Sequence, residues 1–426
     1  MQKKLTITII LLLICVMGLG LSSCKKENGV TIKVVTSYGE GDGNYTNYIN
    51  AVKEWEEKTG NKVDDDSTTS DENWKSKVLA DFDQDKEPDV LFYFVGTDAD
   101  KIVNSGKVMS LDSIKAEYPK YASNMNTNII PASTADGQKY IVPSTGFWEA
   151  LYVNKAVLEA AGVAVPDSDY TWDQFLTDSA QIKAAGYTPI AASLSEIPHY
   201  WWEYAIYNNG SVGAHLQIPI LAGDAASIAW DTGLDDIKML YDSGIFPSDT
   251  LTASDEDMMK LLVDGKAAFA IDGSWKIGWF QEKAADHLDD FVVSYVPAKA
   301  DRKATDIIGG FSMGYYITKK AWDDADRREA AIDFIEHMTS DSVIARFSNN
   351  GVAPTALLTP PKSEDSSPFI QSASDMFRHQ TSAVPAVQDL LSSEAKTVMF
   401  GGVAQVMVGA ETPQALVDSV IAIENE

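Results

Sequence analysis

The chain has 426 residues and a formal net charge of −28 at pH 7, with 62 acidic residues against 34 lysines and arginines. A surface this negative repels phosphate backbones and anionic lipid headgroups, which excludes nucleic acids and lipid surfaces as its main partners. Hydrophobic residues make up 45% of the chain and charged residues 23%, a composition typical of soluble globular proteins. A chain of this length can bury large cores, and we expect about two or three domains.

The N-terminus has the pattern of an export signal. Two lysines precede a mostly apolar run over residues 5–21, and small residues stand directly before Cys24. This pattern resembles the lipobox of bacterial lipoproteins, which predicts a signal peptide over residues 1–23 and lipid attachment at Cys24. Residues 24–29 would then form a lipidated linker on the extracytoplasmic face of the bacterial cell membrane, at a cell surface or in a periplasm. A retained transmembrane helix and an ordinary signal peptide with a chance cysteine are the alternatives.

Cysteine and histidine usage predicts neither a metal nor a cofactor. Cys15 lies in the predicted signal and Cys24 carries the predicted lipid, so the mature chain has no thiol for a disulfide, a metal or nucleophilic catalysis. The five histidines show no zinc-binding spacing, and no glycine pattern for phosphate or dinucleotide binding appears. The acidic run Asp64–Asp66 lacks the spacing of an EF-hand, so we interpret it as a solvated turn.

One stretch matches an enzyme motif. Residues 310–314 satisfy the G-x-S-x-G pattern of a nucleophile elbow, which must turn from a strand into a helix. Residues 315–318 continue with the pattern of a strand instead, so we do not expect a serine hydrolase. Glycosidases use a pair of carboxylates as their catalytic groups. In a chain with 62 acidic residues some pairs will look catalytic by chance, so the sequence alone neither supports nor excludes a glycosidase.

Strand and helix patterns alternate after the linker. Apolar residues alternate over residues 30–34 as in a strand, and the helical spacing of residues 48–55 predicts a helix that Gly60 ends. A second helix is predicted around residues 74–82, before a continuous apolar strand at residues 90–94. This alternation predicts an α/β fold, in which ligands lie beyond the carboxyl ends of the strands.

Several blocks resemble the extracellular solute-binding proteins of the sugar-binding, maltodextrin-binding-like family. They stand in the family's order and cover nearly the whole mature chain, which makes the resemblance more specific than any one block. The blocks are residues 87–94, 137–143, 151–155, 170–175, 265–275, 309–314, 331–335 and 351–354.

The resemblance implies a two-lobed periplasmic-binding-protein-like fold of type II, each lobe a sheet flanked by helices, joined by crossing hinge segments. The first lobe is predicted to hold residues 30–142 and 302–356, and the second residues 143–301 and 357–426. It implies a monomeric, non-enzymatic subunit of an ABC importer that closes on a carbohydrate and delivers it to the permease, with the ATPase as an indirect partner.

Aromatic residues are abundant, and a sugar ring has an apolar face that packs on aromatic rings and a rim of hydroxyls that need polar partners. Trp275 follows a predicted strand end, where a turn could aim it into the cleft; a core position is the alternative. Helical spacing puts Trp201 and Trp202 on different faces of a helix, so we expect at least one of these two tryptophans to lie in the core. With family position added, the candidate ligand-binding residues are Tyr38, Asp42, Asn44, Tyr93, Phe94, Phe147, Trp148, Glu149, His199, Trp202, Asp272, Trp275, Gly310 and Phe311.

Two alternatives to sugar capture remain at this point. A binding protein of the same type could take a peptide or polyamine, and a cleft lined by carboxylates without exposed rings would favour that. An extracellular carbohydrate-active enzyme is the alternative from another class.

Overall fold

The structure is a computed structural model that describes residues 29–127, 130, 132–133, 136–311, 313–349, 353–354 and 367–426. The predicted signal peptide and Cys24 lie outside the described residues.

Strands and helices are numbered in chain order. The strands are β1 (Thr31–Val35), β2 (Lys62–Asp65), β3 (Val90–Phe94), β4 (Val142–Pro143), β5 (Thr145–Asn154), β6 (Thr188–Ile190), β7 (Ala267–Gly273), β8 (Phe291–Ser294), β9 (Asp306–Gly310), β10 (Met313–Ile317), β11 (Ala353–Pro354) and β12 (Ser382–Val384). The helices are α1 (Tyr45–Thr59), α2 (Glu72–Asp83), α3 (Thr97–Asn104), α4 (Leu111–Glu117), α5 (Lys155–Ala161), α6 (Trp172–Ala184), α7 (His199–His215), α8 (Ala225–Asp242), α9 (Asp255–Val263), α10 (Lys276–Lys283), α11 (Lys319–Asp323), α12 (Ala325–Met338), α13 (Asp341–Asn349), α14 (Pro368–Arg378), α15 (Ser393–Met407) and α16 (Pro413–Glu424).

The first lobe is built on a five-stranded sheet with the order β2-β1-β3-β10-β4. Strand β1 pairs in parallel with β2 and β3, whereas β10 runs antiparallel to β3 and β4. The predicted first helix is confirmed, because α1 ends at Gly60 in a left-handed conformation that glycine adopts without strain. Trp55 fastens this helix to α12, since its indole nitrogen donates to Asp333 at 2.8 Å.

The second lobe is built on a seven-stranded sheet in which β5 is the central strand. The end of β5 nearest the first lobe pairs with β9 and β11, and the other end pairs with β7 and β8. Separate apolar cores cover the two faces of this sheet, because side chains alternate along a strand. Leu151 and Val153 pack in one core, and Ala150 and Tyr152 pack in the other.

The chain crosses between the two sheets at two described places. Ser144 alone separates β4 from β5, and two residues separate β9 from β10. Strand β9 pairs with β5 and β12, so residues 306–310 belong to the second sheet, whereas the sequence-based division places residues 302–356 in the first lobe. We therefore propose a crossing at Phe311, between the two strands. Residue 310 ends β9 and residues 313 and 314 begin β10, so a strand and not a helix follows the G-x-S-x-G motif.

Within the described ranges, no helix is long and apolar enough to cross a membrane.

Trp202 lies in the core of the second lobe and not in its cleft. Its side chain is fully buried, and its ring packs edge-on against Trp230 with the ring centres 4.7 Å apart. The first turn of α7 directs it toward α8, so its position in a dense aromatic run did not indicate a place in the cleft. We therefore remove Trp202 from the candidate site.

We expect Trp202→Ala to lower the free energy of unfolding by about 3–5 kcal/mol, because it leaves a cavity in a packed core. Urea denaturation measures the loss. Trp275→Ala is the matched control, since Trp275 is only half-buried and should cost clearly less. Equal losses in the two variants would contradict the assignment of Trp202 to the core.

Candidate functional site

The two lobes touch around the carboxyl ends of their strands. The loop after β1 reaches the start of α10, where the Gly43 backbone nitrogen donates to the Trp275 carbonyl oxygen at 3.2 Å. A Cβ atom on Gly278 would lie 2.1 Å from the Gly43 carbonyl oxygen, so the two backbones meet where neither residue has a side chain. The structure is therefore closed, and the candidate cleft lies between the contacting lobes.

Three aromatic rings meet at the second-lobe side of the cleft. Trp275 lies 6.0 Å from Phe147 and 6.1 Å from Tyr200, measured between ring centres, and both pairs are tilted. The indole packs on the backbone of Gly273, because a Cβ atom there would lie 2.2 Å from the indole ring. Trp275 remains half-buried, so its ring can offer a surface to a ligand.

Two buried carboxylates stand beside these rings. Glu149 on β5 and Glu203 on α7 are at most 1% exposed, and each has an Oε2 atom without a hydrogen-bond partner among the described residues. The backbone nitrogen of Gln388 donates to the other oxygen of Glu203 at 2.8 Å. Burial raises the pKa of Glu149 well above its usual value, and the nearby Glu203 carboxylate raises it further. Burial likewise raises the pKa of Glu203 to about 8.

A second polar group joins the lobes next to Trp275. Lys276 forms ion pairs with Asp255 at 2.8 Å and with Asp272 at 3.8 Å. Burial raises the pKa of Asp272 to about 7, although Lys276 opposes the shift. Burial also raises the pKa of Asp42, on the first lobe, to about 7, and here too the charge of Lys276 acts in the opposite direction. Asp42 and Asp272 therefore face the same lysine from opposite lobes.

An ion-pair network, which we call the latch, fastens the lobes on another side. Lys396 on α15 forms hydrogen-bonded ion pairs with both carboxylate oxygens of Asp98 on α3, at 3.0 and 3.1 Å. Lys75 pairs with the same carboxylate at 3.0 Å. Burial would raise the pKa of Asp98, but the two lysines outweigh it and hold the pKa below its usual value. Thr97 adds a hydrogen bond from its hydroxyl to the carbonyl oxygen of Leu391 at 2.7 Å.

His199 starts α7 between these groups. Its ring stacks on Phe400 with the centres 4.9 Å apart and meets Tyr200 edge-on at 4.4 Å. Burial lowers its pKa to about 3, and the charges of Lys75 and Lys396 add to this effect. The ring is therefore neutral at physiological pH, and its Nδ1 atom has no partner among the described residues.

The structure thus brings several candidates together and leaves others elsewhere. Trp148 points away from Phe147 and Glu149, because alternate residues of β5 face opposite sides of the sheet, and it packs on Tyr152. We remove Trp148 from the candidate site for this reason. Gly310 pairs with Phe147 at the end of β9 and is exposed, so it contributes backbone to the cleft edge. Phe311 lies half-buried at the crossing.

The first-lobe candidates are mostly structural. Tyr38 stacks on Phe92 at 4.9 Å and borders a polar cavity of about 410 Å³ at the ends of β1 and β2. Tyr93 is fully buried with its ring 5.2 Å from Trp74. Asn44 is also buried, and it accepts a hydrogen bond from Asn47 in the first turn of α1.

Phe94 lies closer to the cleft than these residues. The ammonium group of Lys75 stands 4.4 Å from the centre of its ring, a cation–π contact. Lys75 also belongs to the latch, so this contact ties the end of β3 to the interface between the lobes.

Sequence reasoning missed several groups of the cleft. Tyr200 and Glu203 lie in the aromatic run after Pro198. They follow His199 by one and four residues, and this spacing was the sequence signal that could have identified them. The latch residues gave no sequence signal, since Lys396 and Asp98 are 298 positions apart. In the described part of the chain, no group of three or more histidine, cysteine or acidic residues could hold a metal ion.

We expect Gly278→Ala to prevent full closure while leaving both lobes folded, because the new methyl group meets the Gly43 backbone and not a flexible side chain. Small-angle X-ray scattering should show a larger radius of gyration than for the native protein. Gly401→Ala is the matched control, because Gly401 also lies in a helix and has open space around its Cβ position. Scattering identical to the native protein would contradict the close backbone contact.

Comparison with known proteins gives a family and a fold. The family model described as bacterial extracellular solute-binding protein matches residues 39–345. Among solved structures, a chitin oligosaccharide binding protein superimposes with a TM-score of 0.79 at 20% identity, over 93% of this chain and 98% of that chain. The maltose/maltodextrin-binding domain MalE from Bdellovibrio bacteriovorus, bound to maltotriose, gives a TM-score of 0.70 at 17% identity, over 93% and 99% of the two chains.

A curated relative matches over a shorter span. A Brucella abortus (strain 2308) protein named for a binding role is 28% identical over 160 residues, which is 36% of this chain and 36% of the relative. The match therefore spans only about a third of that relative's length. The structures confirm the predicted two-lobed type II fold, and the family model matches most of the chain. The chain belongs to the family of bacterial extracellular solute-binding proteins.

Proposed function

We propose that the protein is the lipid-anchored, extracytoplasmic binding subunit of an ABC importer, and that it captures a carbohydrate between its lobes and delivers it to the permease. One observation carries the proposal: three aromatic rings stand beside buried polar atoms that lack partners among the described residues, and both lie where the closed lobes meet. Rings and unsatisfied polar atoms together fit a ligand that has an apolar face and many hydroxyls.

Each part of a sugar ring has a matching group in this cleft. The exposed part of the Trp275 ring can cover the C–H face of a pyranose, with Phe147 and Tyr200 beside it. The Oε2 atom of Glu149 can accept a hydrogen bond from a hydroxyl group. His199 adds a neutral ring nitrogen that can donate or accept, depending on its tautomer.

Delivery depends on closure, and the latch supports it. A ligand shifts the equilibrium between open and closed lobes only by its difference in affinity for the two states. The latch forms only when the lobes meet, because Lys396 and Asp98 come from opposite lobes. It therefore adds protein contacts to those of the ligand, and a permease can recognise the closed surface that results.

Carbohydrate recognition predicts a specific loss in Trp275→Ala. We expect binding to weaken by about 1–3 kcal/mol, the scale of burying such a side chain. A thermal-shift screen of residues 25–426 against mono- and oligosaccharides, peptides and polyamines finds the ligand, since saturation a hundredfold above the dissociation constant stabilises the native state by about 2.7 kcal/mol. Calorimetry on the variants then measures the affinity.

Tyr187→Ala serves as the matched control. Tyr187 is a half-buried aromatic residue next to β6, at the end of the sheet opposite to Trp275, and its loss should leave the affinity unchanged. An unchanged affinity in folded Trp275→Ala would refute the aromatic platform. Release of new reducing ends from oligosaccharides by the purified protein would instead favour a carbohydrate-active enzyme.

The anchoring proposal has its own test. Lipid attachment requires the thiol of Cys24, so Cys24→Ala should move the exported protein from the membrane fraction to the soluble fraction. Cys15→Ala is the control, because Cys15 lies within the predicted signal and carries no lipid, so membrane retention should persist. Retention of Cys24→Ala would show that the N-terminal segment anchors the protein by itself.

A further inference from the structure

The cleft holds more negative charge than its lysines neutralise. The carboxyl groups that interact across it are those of Asp42, Glu72, Asp98, Glu149, Glu203, Asp255, Asp272 and Asp389. The lysines among them are Lys75, Lys276 and Lys396. Each of these lysines already forms ion pairs within 3.0 Å, Lys75 and Lys396 with Asp98 and Lys276 with Asp255.

Four of these carboxyl groups have no ion-pair partner among the described residues: Asp42, Glu149, Glu203 and Asp389. Glu149 and Glu203 differ from the other two, because each also has a buried oxygen without a hydrogen bond. Among the described residues, no lysine or arginine forms an ion pair with either carboxylate, and one oxygen of each lacks any hydrogen bond. Both side chains are at least 99% buried. A buried carboxylate is costly unless a proton or a cation compensates it, so something other than a protein cation must do so when the lobes close.

The surroundings of these carboxylates suit a cation more than a further hydroxyl. Tyr200 interacts electrostatically with both carboxyl groups, and its ring packs against that of Trp275. The negative faces of aromatic rings attract cations. His199 provides an independent observation. Its side chain is only 8% exposed, and its Nδ1 atom also lacks a hydrogen-bond partner in the described chain. Its ring is stacked on Phe400 and edge-on to Tyr200, so it lies beside the same aromatic group.

We propose that the captured solute carries a positively charged amino group, which lies against the carboxylates of Glu149 and Glu203. The inference rests on the proposed capture of a carbohydrate, so the ligand class is a sugar or oligosaccharide with a free amino group. The ammonium group supplies hydrogen bonds to the orphan oxygens, and the Trp275 ring covers the apolar face of the same sugar.

The number of protons taken up on binding distinguishes this ligand from a neutral sugar. The charged and titratable groups around Glu149 and Glu203 are Asp272, Asp389, Lys396, Lys75, Asp98, His199, Tyr200 and Tyr204. Burial raises the pKa of Glu203 to about 8 in the closed protein. If opening of the lobes returns this carboxyl group to water, closure around a neutral sugar at pH 7 protonates it. A cationic ligand keeps the carboxylates ionised, so its binding takes up no proton.

The sign of the pH dependence follows from these shifts. A carboxyl group with a raised pKa in the closed state favours that state at low pH and opposes it as the pH rises toward the raised value. Closure around a neutral sugar should therefore weaken between about pH 5 and pH 8. Binding of an amino sugar should keep its strength over the same range for as long as the amine stays protonated.

The test is calorimetry with matched ligands that differ only in the charged group: glucose oligosaccharides, their 2-amino-2-deoxy counterparts and the N-acetylated forms of these. Each titration is run at pH 7 in two buffers with different ionisation enthalpies, which counts the protons exchanged. We expect the free amino sugars to bind at least tenfold more tightly than both neutral forms, without proton uptake.

Glu149→Gln removes one negative charge at nearly constant volume and keeps a hydrogen-bond acceptor, so it should weaken amino-sugar binding at least tenfold more than it weakens neutral-sugar binding. Glu159→Gln, at an exposed position of α5, is the matched control. Proton counts on the native protein test the inference even where Glu149→Gln folds poorly.

Three outcomes would overturn the inference, and they bear differently on the proposed function. Equal or tighter binding of neutral sugars, with proton uptake, overturns the cationic ligand and leaves carbohydrate capture standing. An equal loss for neutral and amino sugars in Glu149→Gln also overturns it, because the carboxylate would then serve only as a hydroxyl acceptor. Binding of polyamines and of no sugar refutes the carbohydrate function itself, and the amino-sugar inference with it.

Discussion

The pairing of strand β5 is the constraint on which the rest of the site depends. This strand spans Thr145–Asn154 and joins strands of opposite halves of its sheet along its length. Its register with β7 sets Glu149 opposite Gly273, and its register with β9 sets Phe147 opposite Gly310. Because side chains alternate along a strand, this register sends Phe147 and Glu149 toward the cleft and Trp148 into the core. Sliding the strand by one residue would exchange the two sets.

Local sequence patterns predicted the frame of the protein but only part of its cleft. The first strands, the helix that ends at Gly60 and the turn before Trp275 follow from periodicity and glycine placement, which act over a few residues. The face of Trp148 could not be predicted, because it depends on the register with a strand more than a hundred residues away. The latch was equally hidden, since Lys396 and Asp98 meet only after both lobes have folded and closed.

The two sides of the cleft treat buried charge in opposite ways. On the latch side, the protein supplies two ammonium groups to one carboxylate, so the charges compensate each other when water leaves. On the side of Glu149 and Glu203, the protein supplies hydrogen bonds to some oxygens and leaves others without partners. Complete pairing in the latch and incomplete pairing at Glu149 and Glu203 reserve the remaining electrostatic stabilisation for the solute.

The contact between Gly43 and Gly278 has a consequence for which solutes fit. Two peptide backbones touch there without side chains between them, so the contact cannot yield as a flexible lysine or methionine would. It acts as a rigid stop, which gives the closed cleft one fixed width. A binding protein built in this way selects solutes by their thickness. A thinner solute is held loosely between the lobes, and a thicker one prevents the lobes from closing fully.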